Sequence, residues 1–109
     1  MTILSNFLKK RQRKRIEKQI DALKSRSQIL FQNVQANKLS AKEILNLIHL
    51  HTRRAEKGNY ESVLWLNCHL NADLKEYKQY TIEAVADSIS YEKIQKQIAS
   101  LIAQLATLE

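Results

Sequence analysis

The strongest chemical signal in this chain is a run of cations. Lys9-Lys10-Arg11-Gln12-Arg13-Lys14-Arg15 puts six positive side chains into seven residues, and Lys18 extends the run. Residues 1–26 hold nine basic and two acidic residues, whereas residues 27–109 hold nine of each, so the net charge of +7 sits wholly in the first segment. Such asymmetry points to a polyanionic partner: nucleic acid first, with an anionic membrane surface or an acidic protein as alternatives. On a helix turning about 100° per residue, Arg11, Lys14, Arg15 and Lys18 share one stripe, opposite the apolar positions that begin at Ile16. Neutralising about six phosphates would make binding fall with salt at a logarithmic slope near −5. Phosphate contacts carry no base choice, and Asn6 and Gln12 are the obvious nearby amides, so only weak sequence preference is expected.

Four large apolar residues precede the cations. Ile3, Leu4, Phe7 and Leu8 fall, on a continuous helix, on the same side as Arg11 and Lys18 and away from Ile16, Ile20 and Leu23. Either the helix breaks near residue 9, or these residues form an exposed patch for a membrane or a partner's groove. A third arrangement folds the end back so that Phe7 packs on the body. An apolar patch beside a polybasic run makes an interfacial helix, and residues 1–18 would then anchor an adaptor to a membrane surface. Over some fifteen residues this resembles short membrane-targeting helices.

The remaining reactive side chains do not converge. His49 and His51 are two positions apart, about 200° around a helix, so they cannot face one ion. Cys68 lies in an apolar stripe and reads as a small buried hydrophobe, and His69 can pair with Asp73 one turn on. One Cys supports neither an intrachain disulfide nor a multi-thiolate zinc site, and no metal or cofactor is expected. A single Gly cannot build a phosphate-cradling loop, and no nucleophile–base–acid set is suggested by position. The chain is read as a binding protein without enzymatic activity. Trp65, Leu64 and Leu50 stand apart as a candidate protein interface: Trp65 and Leu64 lie on a second apolar stripe, and Leu50 lies on a polar side.

These residues need helices to position them. With one Gly and no Pro in 109 residues, the tight turns of a sheet protein are unavailable. The apolar fraction of 44% suffices for a modest core. The spacing predicts a first helix over about residues 5–36, with a seam of Ile16, Ile20, Leu23, Ser27, Leu30 and Val34. A turn is expected within residues 35–39. Ser40 and Glu43 form a capping box that starts a second helix, whose face is Ala41, Ile44, Ile48, Thr52 and Ala55. Gly58 ends it, because positive φ costs glycine little. A third helix runs from Tyr60 to about Asp87 with a seam of Val63, Leu66, Leu70, Leu74, Tyr77, Thr81 and Ala84. A break at residues 87–90 leads to a fourth, carrying Tyr91, Ile94, Ile98, Leu101, Ile102, Leu105 and Leu108, although one long helix would also satisfy that stretch.

Short connections favour antiparallel neighbours. The expected fold is all-α: one helical domain over residues 1–109, a three- or four-helix antiparallel bundle, with residues 1–15 as a basic arm or helix extension. The narrow seams also suit a homodimer held by coiled-coil-like packing. No apolar run reaches transmembrane length, and a secretory leader would place its apolar stretch after the charges, so a soluble cytoplasmic protein is expected.

Overall fold

The computed structural model describes residues 2–108, and two α-helices hold nearly all of them: α1, Ile3–Glu56, and α2, Tyr60–Thr107. No strand occurs among the described residues. The all-helical class is as expected, but the chain forms two helices where three or four were expected. Residues 35–39 form no turn, Ser40 is not a cap, and residues 87–90 are continuous helix.

The reason is phase. Burial along α1 recurs at Ile16, Ile20, Leu23, Ser27, Leu30, Val34, Asn37, Ala41, Ile44 and Ile48, in alternating steps of three and four. Asn37 keeps that rhythm across the stretch expected to turn. Along α2 the half-buried and buried positions Leu66, Leu70, Asp73, Tyr77, Tyr80, Ala84, Asp87, Tyr91 and Ile94 do the same. Asn, Ser and Asp each cost below about 0.7 kcal/mol against alanine inside a helix, too little to interrupt a phase the flanking apolar residues maintain. No Pro or Gly intervenes to do so.

Both helix starts are capped. Thr2 Oγ1 accepts the backbone N–H of Ser5 at 3.2 Å, which fixes the beginning of α1 at Ile3. Asn59 Oδ1 accepts the N–H of Ser62 at 3.0 Å and opens α2. Between the helices, Asn59 N–H bonds Arg54 O at 2.9 Å and Gly58 N–H bonds Ala55 O at 2.9 Å. This is a Schellman closure, with Gly58 at φ 89°. The only glycine thus ends α1 as its position in the sequence implies.

The chain is organised in two units, residues 1–31 with 88–109, and residues 32–87. In the first, Ile16, Ile20, Ile94 and Ile98 form a buried cluster, flanked by Leu23, Leu30, Leu101, Leu105 and Leu108. Phe31 meets Tyr91 at one end, with ring centroids 6.0 Å apart. At the other end Leu108 shares a groove with Asn6, Lys9, Lys10 and Arg13, so the two segments run antiparallel. Ile102, expected on the seam, is half exposed.

The second unit is a helical hairpin around residues 57–59, with Val34, Ala41, Ile48, Ser62 and Ala84 buried. Its α2 seam is rotated from the expected one. Leu74 and Thr81 are exposed, while their neighbours Asp73 and Tyr80 are half-buried.

Candidate anion-binding surface

The surface is built on the first five turns of α1. Because the helix is unbroken from Ile3, angular positions follow directly from sequence distance. Taking Phe7 as reference, Ile3, Arg11, Lys14 and Lys18 lie within about 40° of it, and Ile16, Ile20 and Leu23 lie on the far side. That far side is occupied: Ile16 and Ile20 are buried against Ile94 and Ile98. The near side is therefore held outward by the packing of its own reverse face.

Lys9, Lys10, Arg11, Lys14, Arg15 and Lys18 are exposed, whereas Arg13 turns toward the seam and is half-buried. Arg11, Lys14, Arg15 and Lys18 line one shallow groove with Gln19 and Ala22. Phe7 lines an adjoining groove with Lys10, Arg11 and Lys14. Glu17 and Asp21 are the only carboxylates among residues 3–26, and the segment of α2 from Lys93 to Leu108 has none at all. The unit made of residues 1–31 and 88–109 holds eleven basic and four acidic residues. The unit of residues 32–87 holds seven of each.

The structure answers how the apolar quartet is arranged. The helix does not break near residue 9, and Phe7 does not fold back onto the body. Ile3, Leu4, Phe7 and Leu8 are 89%, 65%, 58% and 53% exposed. The Thr2 cap, which spacing did not single out, keeps this end helical and so holds the quartet in line with the cations.

The other singled-out residues lie in the hairpin unit. His51 Nδ1 is 3.1 Å from the hydroxyl of buried Ser62. Its ring stacks on Trp65, with centroids 4.0 Å apart and planes 15° from parallel. His69 closes on Trp65 at 5.2 Å. His51 and His69 both contact the Trp65 indole, and the described residues contain no group of three or more His, Cys, Asp or Glu able to hold a metal. Cys68 is exposed, contrary to the buried position expected. Leu50 and Leu64 are 37% and 45% exposed, and Trp65 is half-buried. Leu64 and Trp65 are adjacent in sequence and about 100° apart around α2.

No described helix is long and apolar enough to cross a membrane. The chain matches no family model, no curated protein and no solved structure.

Proposed function

We propose that this chain is a non-enzymatic helical binding protein whose α1 N-terminus docks on an anionic lipid surface. One observation carries the choice of lipid over nucleic acid: Ile3, Leu4, Phe7 and Leu8 stand out of the helix at 53–89% exposure, on the face that continues into Arg11, Lys14 and Lys18. Phosphate binding alone has no use for four large apolar side chains beside the cations. A bilayer interface uses both, taking the apolar turns among its acyl chains and the cations among its headgroups. The lysine and arginine stems are long enough to reach headgroups from a helix lying in the interface plane. Residues 3–18 would lay about 24 Å of helix along the surface, at 1.5 Å per residue.

Each basic residue near an anionic leaflet contributes about 1 kcal/mol. Lys10, Arg11, Lys14, Arg15 and Lys18 together then supply about 5 kcal/mol, and partial burial of the quartet a few more, which corresponds to micromolar binding. Within each unit the seam has the rhythm of an antiparallel coiled coil, which suits an adaptor.

Co-flotation tests the reading. The protein is expected to float with phosphatidylserine-rich vesicles at low salt and to stay behind with phosphatidylcholine vesicles. Failure to float with either would reject it. Tighter binding to duplex DNA or to RNA than to anionic vesicles, measured in the same buffer, would return the choice to nucleic acid.

A further inference from the structure

We infer that the furrow between α1 and α2 in the unit of residues 1–31 and 88–109 is a docking site for an acidic amphipathic helix of a partner protein. The furrow is lined by Gln19, Ala22 and Leu23 from α1 and by Gln97, Ser100 and Leu101 from α2. Gln19 and Ala22 also line the groove that holds Arg11, Lys14, Arg15 and Lys18, so the two make one trough. One end of this trough is uncharged and the other is cationic. Leu23 and Leu101 are half-buried, which leaves part of each side chain for a neighbour to cover. Ala22 and Ser100 are exposed and small, one on each wall, so a third helix has room to approach to the usual packing distance of about 8–10 Å.

The charge on these two walls selects the occupant. Glu17 and Asp21 lie about 140° and 100° around α1 from Ala22, and α2 has no carboxylate from Lys93 to Leu108. No acidic side chain therefore stands on either wall to answer the four cations. An acidic helix brings carboxylates to the cationic end and apolar side chains to Leu23 and Leu101. Its peptide groups are already paired within it, so docking strands none of them. From Arg11 to Leu23 the trough runs about 18 Å, a little over three turns of helix.

Other occupants fit these walls less well. A fatty acyl chain in an open trough would keep much of its surface in water and would desolvate the Gln19 and Gln97 amides without pairing them. Nucleic acid would use the cations and leave the uncharged end empty. Gln19 and Leu23 lie about 120° and 160° around α1 from Phe7, so this docking does not rest on the apolar quartet or on attachment to lipid.

Fluorescence anisotropy of a labelled synthetic peptide against the full chain tests this. The probe is a helix of about fourteen residues with leucines on one face of its first half and glutamates on the same face of its second half. It is expected to bind with micromolar affinity at low salt and at least tenfold more weakly at about 0.5 M salt. Ser100→Trp, which fills the trough from α2, should weaken binding at least tenfold while helical circular dichroism and flotation with anionic vesicles stay as in the wild type. A peptide with serines in place of the leucines should also bind at least tenfold more weakly. Absence of binding by the wild type overturns the inference, as does equal binding by a helical Ser100→Trp chain. Equal binding of the serine peptide overturns it too, since charge alone would then be at work. So does displacement of the peptide by micromolar palmitate, which would give the trough to an acyl chain. A wild type that fails to float with vesicles but binds the peptide would reject the lipid reading and support this one.

Discussion

Phe7→Ser separates insertion into a bilayer from simple charge attraction. A phenylalanine presents about 150–250 Å². At 58% exposure, about 100 Å² of Phe7 is free to enter a bilayer interface. At 25 cal/mol per Å² that surface is worth about 2.5 kcal/mol if wholly withdrawn from water, and about 2 kcal/mol at interfacial depth. Phe7→Ser should therefore weaken vesicle binding roughly thirtyfold. The residue is not in the core, so helix content should not change. The matched charge variant, Arg11→Gln/Lys14→Gln/Lys18→Gln, removes about 3 kcal/mol at low salt, roughly a hundredfold. The two losses respond oppositely to salt. At 1 M salt the Debye length shrinks to about 3 Å and the charge contribution vanishes, while apolar burial persists. Vesicle co-sedimentation at low and high salt for the wild type and both variants gives four ratios to compare. Equal binding by Phe7→Ser and the wild type at every salt concentration would refute insertion. The cations would then be acting alone, as they would on nucleic acid.

Two further outcomes concern the scaffold. Leu39→Pro should destabilise the chain by about 3 kcal/mol or more, because proline inside a helix removes a hydrogen bond and clashes with the preceding turn; a near-neutral melting curve would mean that residues 35–39 are a turn after all. Ile94→Ala, at a 4% exposed site in the four-isoleucine cluster, should cost about 3 kcal/mol and lower the melting temperature by roughly 12 °C, whereas Ile82→Ala, 53% exposed, should stay within about 0.5 kcal/mol of the wild type.

Much of the fold was legible where apolar residues repeat without interruption. The α1 seam from Ile16 to Val34, the face from Ala41 to Ala55 and the closing glycine at residue 58 all follow from spacing alone, and the structure has each of them. Helix boundaries were misread where a polar residue occupies a seam position. Asn37 and Asp87 look like turn formers in isolation, yet each stands three residues after one seam position and four before the next. Counting the rhythm through a polar residue, instead of stopping at it, would have given two helices. The rotated seam of α2 was not legible. Leu74 and Thr81 outscore Asp73 and Tyr80 as apolar positions, and only the register imposed by α1 decides which pair turns inward. For the candidate site, spacing placed Phe7 and the cations on one face, but it could not say whether the end would fold back. The helix continues to Ile3 instead, and a single hydrogen bond to Thr2 caps its first turn.

The exposed apolar quartet at residues 3–8 and the exposed apolar residues of the hairpin unit differ in the charge around them. The quartet at residues 3–8 leads into a unit with eleven basic and four acidic residues, where a second copy would meet like charge. Self-association there is opposed by the same cations that favour an anionic surface. Exposed Leu74 belongs to a unit balanced at seven basic against seven acidic residues. On the proposed reading, the apolar turns and the polybasic run place in one short helix the two signals that stable attachment to a membrane needs.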